Sequence, residues 1–148
     1  MHFVVGGAFN GKAKWVKQRY KQKFDHLDWR SAYRRPFQQD QFEDVSTFAN
    51  VTILQGLEHY IKTSLPYHED ADSLRATCNK QLKVWLDWEK EVEERTLIII
   101  GNDLSKGIVP IEREDRLWRD VTGWCYQDIT AQADRVDVIW YGIAKQLK

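Results

Sequence analysis

The first two dozen residues of the chain read as a short strand, a glycine-rich loop and a helix. Phe3–Val5 is a short apolar run, Gly6 to Lys12 follow the pattern G-x-x-x-x-G-K, and Lys12–Phe24 has helical composition without Gly or Pro. Glycines let backbone N–H groups close around phosphate oxygens, the helix directs its positive end at the anion, and the lysine reaches the terminal phosphates. The unit therefore predicts a strand-to-helix connection that binds the phosphates of a nucleotide.

The predicted nucleotide-binding residues are those of the loop and the first helical turn, with Lys12 also the candidate catalytic residue: Gly6, Gly7, Ala8, Phe9, Asn10, Gly11, Lys12 and Ala13. The pattern normally continues with a Ser or Thr whose hydroxyl binds Mg²⁺, and this chain has Ala13 there. Phosphate binding can survive this change while Mg²⁺ positioning is weakened. The same pattern also occurs in ordinary strand-to-helix connections that bind nothing.

Composition limits the remaining possibilities. A chain of 148 residues with 43% hydrophobic and 30% charged residues indicates one globular domain over 1–148. The 22 basic residues are balanced by 22 acidic ones, which argues against nucleic acid as the main partner. Cys78 and Cys125 are far apart in sequence and form no C-x-x-C motif, so we expect buried, reduced thiols rather than a zinc site or a disulfide framework.

The longest β-branched run, Leu97–Ile100, is too short to span a bilayer, and the chain begins without a basic segment followed by a long apolar core. We expect no membrane partner and a cytoplasmic location.

Short β-branched runs alternate with longer stretches of helical character, which predicts an α/β fold with a central sheet. The predicted buried strands are Phe3–Val5, Val51–Leu54, Leu97–Ile100 and Val136–Tyr141, with a weaker strand around His26–Tyr33.

Two long helices are predicted between these strands. Asp72 is the predicted N-cap of the first, and the second covers Glu112–Ala133. Trp85, Trp88 and Trp140 are interpreted as core residues rather than as stacking platforms for bases.

The C-terminal third carries a second pattern, which begins with Gly101-Asn102-Asp103-Leu104-Ser105-Lys106-Gly107-Ile108-Val109-Pro110 and continues through a helix with an Arg-Asp pair to an Ala-Asp-x-Val strand. It resembles the adenosylcobinamide kinase/adenosylcobinamide-phosphate guanylyltransferase family. The residues that carry the resemblance are Asn102, Asp103, Gly107, Pro110, Arg116, Arg119 and Asp120. The N-terminal loop corresponds to the family's Gly-Gly-x-x-x-Gly-Lys-Ser.

The resemblance implies a RecA-like P-loop domain with a mainly parallel central sheet flanked by helices. It implies a role in cobalamin biosynthesis: phosphorylation of a hydroxyl of a cobinamide, then transfer of GMP to that phosphate through a guanylylated histidine. ATP or GTP and Mg²⁺ are the expected cofactors, a nucleotide and a corrinoid the expected ligands, and a homo-oligomer the expected assembly.

The chain departs from the family at the metal and histidine positions. Gln55 stands where the family has a strand-end acidic residue, so together with Ala13 it indicates a weakened or rearranged Mg²⁺ site. Glu58 or Asp103 can supply a replacement carboxylate, although each is more simply a surface or capping group. The segment that carries the family's histidine is shortened and holds only His26, so we expect the guanylyltransferase activity to be lost.

Three hypotheses remain open at this point. The first is a nucleoside-triphosphate-dependent cobinamide kinase with a reorganised metal site. The second is a noncatalytic relative that binds nucleotide or corrinoid and acts as a subunit or regulator. In the third the loop is vestigial and the chain is an assembly module, because bulky residues such as Phe9, Trp15 and Phe37 can fill the pocket.

Overall fold

The structure is a computed structural model that describes residues 1–21 and 27–148. Its strands are β1 (His2–Gly6), β2 (Asp28–Ser31), β3 (Val51–Gln55), β4 (Thr96–Asn102), β5 (Arg135–Trp140) and β6 (Ile143–Gln146). Its α-helices are α1 (Lys12–Lys21), α2 (Asp40–Glu43), α3 (Leu57–Ser64), α4 (Ala71–Lys90) and α5 (Arg113–Gln132), with short 3-10 turns at Val45–Thr47 and Leu65–Tyr67.

The six strands form one sheet in the order β2-β3-β4-β1-β5-β6. The first five strands of the chain run parallel, and only β6 pairs antiparallel, with β5. At the centre, Phe3 of β1 lies opposite Ile99 of β4 and Val136 of β5. The predicted α/β class with a mainly parallel sheet flanked by helices is confirmed. Because the strands are parallel, the loops that follow β1, β3 and β4 all emerge at one end of the sheet.

Successive side chains of a strand point to opposite faces, so each buried strand feeds two cores. On one face, Phe3, Leu54 and Ile99 pack beneath the side chains of α3, α4 and α5. On the other face, Val4 and Ile98 pack against Val16 of α1. Coverage on both faces explains why the central strands read as continuous apolar runs.

The four main strands lie where they were predicted, and α5 nearly matches the expected second long helix. The cap of α4 was wrongly predicted. Asp70 rather than Asp72 caps it, because Asp70 has extended backbone and its Oδ1 accepts from the Ser73 amide at 2.7 Å, whereas Asp72 lies in the first helical turn. Helix α3, which the sequence analysis did not predict, begins after Gly56.

The expectation of a core position holds for Trp85 and Trp88 and is wrong for Trp140. Trp140 is 60% exposed because it is the last residue of β5, where the chain turns into the edge strand β6. The strand predicted to end at Tyr141 therefore ends one residue earlier, at Trp140, and Tyr141 lies in the turn.

Both cysteines are free, as expected, but only Cys125 is fully buried and Cys78 is half-buried. The weaker predicted strand at His26–Tyr33 corresponds to β2, and its first residue, His26, lies outside the described residues together with the end of the predicted first helix. Within residues 1–21 and 27–148, none of the helices has the length and apolar character needed to cross a membrane.

Candidate functional site

The glycine-rich loop joins the central strand β1 to α1 at the end of the sheet where the parallel strands finish. Gly6 is required by a close approach, because a Cβ at this position would lie 2.2 Å from the carbonyl oxygen of Ile139 in β5. Gly11 has φ +88°, a left-handed conformation that favours glycine. Phe9 is also left-handed, with φ +59°, and its side chain is fully exposed. The ring of Phe9 therefore does not fill the space inside the loop.

Lys12, the first residue of α1, is 8% exposed and turns its side chain back into the loop. Its Nζ donates to the carbonyl oxygens of Gly6 at 3.0 Å and Gly7 at 2.8 Å, and to Oδ1 of Asn102 at 2.5 Å. Burial lowers the pKa of Lys12, and the negative charges of Glu58 and Asp103 oppose this shift. The ammonium group is thus held by oxygen atoms of two strand ends.

The N-terminus of α1 leaves amides directed at the same space. The first intrahelical bond runs from the Trp15 amide to the carbonyl of Gly11 at 2.9 Å, so the amides of Lys12, Ala13 and Lys14 have no acceptor within the helix. A cavity of about 510 Å³ opens here. Its lining comes from the loop, from α1 and from the ends of the neighbouring strands: Ala8, Phe9, Asn10, Gly11, Lys12, Ala13, Lys14, Tyr33, Gln55, Ile100 and Asn102. Orphan amides, a cation and a cavity together form a site with the chemistry of an anion-binding pocket.

Glu58, in the first turn of α3, organises the wall of this cavity. It is only 2% exposed, and its carboxylate accepts from the backbone amide and from Nδ2 of Asn102, both at 2.9 Å. The hydroxyl of Tyr33 donates to the same carboxylate, and that of Tyr126 lies 3.3 Å from it. Burial, followed by the charge of Glu58, raises the pKa of Tyr126 well above its ordinary value, so this phenol stays a neutral donor.

The sequence predicts that Glu58 is a replacement metal ligand or, more simply, a surface or capping group. The structure contradicts the second reading, because the carboxylate is buried and accepts bonds from groups that lie far away in sequence. It orients Asn102, and Asn102 in turn orients Lys12. No local sequence signal pointed to this role or to that of Tyr33, because every contact joins residues at least 25 positions apart.

The residues present do not fit a protein-held Mg²⁺. Ala13 offers no side-chain oxygen, and Oε1 of Gln55 already accepts from Nε1 of Trp29 at 2.7 Å. The Glu58 carboxylate already accepts from Asn102 and Tyr33. Oδ1 of Asp103 accepts from the amide of Ser105 at 2.9 Å, which is a turn-capping role. Within residues 1–21 and 27–148 no group of three His, Cys, Asp or Glu side chains is arranged to hold a metal ion.

The residues that carry the family resemblance separate into three places. Asn102 contacts Lys12, as described. Asp103, Arg119 and Asp120 line a second cavity of about 390 Å³ between the β4–α5 loop and α5. Its other lining residues are Leu104, Ser105, Thr122, Gly123, Trp124, Tyr126 and Gln127.

The remaining three lie outside both cavities. Arg116 is a loop anchor, because its Nη1 donates to the carbonyl of Pro110 at 3.0 Å and also to that of Ile111. Gly107 has φ +124° in open space, where a glycine permits the turn of the same loop.

Two of the three described histidines, His2 and His68, have both ring nitrogens hydrogen-bonded within the chain. His2 lies at the opposite end of β1, with its ring nitrogens 2.6 Å from the hydroxyl of Tyr20 and 2.8 Å from Asp137. Both ring nitrogens of His68 are also hydrogen-bonded. The ring of His59 packs beside Tyr33, with centroids 6.0 Å apart.

Fold and loop geometry together define an α/β domain of the P-loop type. The family model described as cobinamide kinase / cobinamide phosphate guanyltransferase matches residues 27–147, which is 121 of the 148 residues. The chain belongs to this family, whose members act in cobalamin biosynthesis with nucleoside triphosphates as substrates. No curated protein shows significant similarity to the chain. The glycine-rich loop precedes the matched range, so its proposed role depends on its own sequence and geometry.

Proposed function

We propose that this chain binds the triphosphate of ATP or GTP at the Gly6–Ala13 loop and transfers the terminal phosphoryl group to a hydroxyl of a cobinamide. We further propose that the guanylyltransferase activity has been lost. The observation that supports nucleotide binding best is the position of Lys12, a buried ammonium group beside the orphan amides of α1 and open to the cavity of about 510 Å³.

Lys12 and the loop would act by positioning and charge neutralisation, which is most of what phosphoryl transfer asks of a protein. Each of the three ammonium protons already faces an oxygen atom of the chain. A phosphate oxygen therefore has to replace one of them, and it brings a negative charge into direct contact with an ammonium group whose present acceptors are neutral. Asn102, held by Glu58, then keeps the side chain directed at the terminal phosphate.

The second cavity supports a site for the acceptor. The Asp103 amide donates to the carbonyl of Gly6 at 3.0 Å, so the β4–α5 loop that borders this cavity also contacts the glycine-rich loop. Arg119, Asp120 and Gln127 offer charged and amide groups there, which suit an acceptor rich in polar substituents.

Loss of the guanylyltransferase activity is supported by the shortened histidine segment and by two of the three described histidines, His2 and His68. That chemistry requires an accessible imidazole near the nucleotide phosphate. His2 and His68 are bonded elsewhere through both ring nitrogens, and the segment that holds the family's histidine is shortened.

A second candidate is a noncatalytic relative that binds nucleotide or corrinoid and acts as a subunit or regulator. The donor set around the loop favours it, because Ala13, Gln55 and the engaged Glu58 do not fit a resident Mg²⁺. This candidate shares the nucleotide site with the first and differs only in turnover.

Calorimetric titration with ATP and GTP, with and without Mg²⁺, tests the shared step. We expect binding that Lys12→Ala weakens by roughly 10- to 100-fold, the range for a hydrogen bond between charged groups. Lys21→Ala, which removes an exposed charge from the far end of the same helix, is the matched control and leaves the affinity unchanged. Absence of binding, or equal binding by Lys12→Ala, would refute the kinase and the nucleotide-binding form of the second candidate.

An assay of turnover then distinguishes the kinase from the noncatalytic relative. Transfer of labelled γ-phosphate to cobinamide, lost in Lys12→Ala and reduced in Arg119→Ala at unchanged nucleotide affinity, supports the kinase. Nucleotide binding without any labelled product supports the noncatalytic relative.

A further inference from the structure

An exposed aromatic pair lies at the turn between β5 and β6. Trp140 is 60% and Tyr141 82% exposed, and their rings stack with centroids 5.7 Å apart and planes inclined by 23°. The Nζ of Lys106 lies 5.1 Å from the ring centroid of Trp140. Two large aromatic side chains stacked on each other in solvent leave ring faces uncovered, and such faces are typical binding surfaces for flat ligands.

Hydrogen bonds fix this turn to the glycine-rich loop. The amide of Tyr141 donates to Oδ1 of Asn10, and the amide of Gly142 donates to the carbonyl of Asn10, both at 2.9 Å. Tyr141 itself has φ +50°, a left-handed conformation that a bulky residue adopts at an energetic cost. The chain therefore holds an aromatic residue, rather than a glycine, in a strained position directly beside the loop.

The strand order places the residues around Lys12 and the aromatic turn on opposite sides of β1. Lys12 and Asn102 meet on the β4 side of β1, whereas the aromatic turn follows β5, the neighbour of β1 on the other side. A nucleotide whose terminal phosphate lies at Lys12 would reach the aromatic turn only by extending across the glycine-rich loop to the β5 side of β1.

We propose that Trp140 and Tyr141 form the platform on which the base of the bound nucleotide stacks. The inference rests on the proposed binding of a triphosphate at the loop, and it adds the second contact that a nucleotide needs. Every base has a π face, so stacking alone is tolerant of base identity. We therefore expect ATP and GTP to bind with similar affinity, because the platform itself offers no hydrogen-bonding group matched to one base.

The test compares ligands with and without a base. ATP, GTP and inorganic tripolyphosphate are titrated by calorimetry into wild type, Trp140→Ala and Tyr141→Ala. We expect each variant to lose about tenfold in affinity for ATP and GTP, the range for stacking on one aromatic side chain, and to keep its affinity for tripolyphosphate within about twofold. Trp140→Phe and Tyr141→Phe retain a ring and recover most of the lost affinity.

Leu147→Ala is the matched control, because Leu147 is a 60% exposed apolar residue whose amide donates to the carbonyl of Val136, at the end of β5 opposite the aromatic turn. It leaves all three affinities unchanged. Equal losses for nucleotides and tripolyphosphate would overturn the inference, since they would mean that the turn only supports the loop. Unchanged ATP affinity, with a wild-type dimer that Trp140→Ala dissociates, would overturn it in favour of contact with a second copy.

The result also separates this inference from the proposed function. Tripolyphosphate binding that depends on Lys12 but not on Trp140 or Tyr141, with unchanged ATP affinity in those variants, refutes the platform and keeps the phosphate site. Failure of wild type to bind either ATP or tripolyphosphate refutes both.

Discussion

The two ends of β1 each carry a buried polar cluster, and the clusters differ in how they are completed. At the amino end, His2 lies between Tyr20 and Asp137, and Arg135 donates to Asp137 at 2.5 Å. At the carboxyl end, Lys12 lies among oxygen atoms while the first amides of α1 face a cavity. Both ring nitrogens and both carboxylate oxygens of the first cluster have partners in the chain, whereas the second leaves backbone donors for a ligand.

The difference shows how to recognise a functional site among buried polar groups. Burying a charged or polar group is costly unless it is paired, so a paired cluster is sufficiently explained by stability. The His2 cluster is of this kind, although a histidine beside a carboxylate superficially suggests catalysis. The Lys12 cluster combines a buried cation with unpaired helix-terminal amides, a combination that a bound anion completes.

The largest change in stability is expected at the carboxyl end of β1, where the glycine-rich loop begins. Gly6→Ala places a Cβ 2.2 Å from a backbone oxygen of β5, which can be relieved only by separating the strands. We expect a loss of about 4 kcal/mol or more in the free energy of unfolding, measured by urea denaturation. Gly123→Ala, an exposed position in α5 with open space around it, is the control and stabilises by up to about 1 kcal/mol. Similar midpoints for the two variants would contradict the close packing of β1 on β5.

The next test removes the carboxylate behind the loop cluster. Glu58→Ala deprives the amide and side chain of Asn102 and the hydroxyl of Tyr33 of their acceptor. At about 1 kcal/mol for each of these partly buried donors left without its acceptor, we expect a loss of up to about 3 kcal/mol in the free energy of unfolding. Glu69→Ala, at an exposed position, changes stability by less than about 0.5 kcal/mol. Equal stabilities would show that Glu58 is no anchor.

The smallest effect is a pH dependence at the amino end of β1. Burial lowers the pKa of His2 from 6.5 to about 4, so the folded state keeps this imidazole neutral while the unfolded chain binds a proton between these values. Stability is therefore lost as pH falls through that window. Between pH 7 and pH 5 we expect wild type to lose about 2 kcal/mol more than His2→Gln. Parallel pH profiles of the two proteins, from urea denaturation, would remove His2 as the cause.

Much of the fold could be predicted because its signals are local. The apolar runs at Phe3–Val5 and Leu97–Ile100 predict the central strands β1 and β4, and the helical composition after the glycine-rich loop predicts α1. Helix α3 was missed although Leu57, Tyr60 and Ile61 follow a helical period, because the segment is short and follows a strand directly. A closer count of that period would have found it.

The candidate site could be predicted only in part. The loop and Lys12 were found from their spacing, whereas the contact of Lys12 with Asn102 joins residues 90 positions apart and has no sequence signature. The same holds for Trp140 and Tyr141, whose exposure depends on the turn into β6 and not on β-propensity, which favours aromatic residues in strands whether buried or exposed.

The three hydrogen bonds of Lys12 also have a consequence for the kinetics of ligand capture. A lysine that already occupies one rotamer has lost its conformational entropy during folding, so that loss does not recur when a ligand arrives. Such a preorganised loop requires no slow closure before it accepts an anion. We therefore expect differences in affinity among variants of this loop to appear mainly in dissociation rates, with association rates nearly constant.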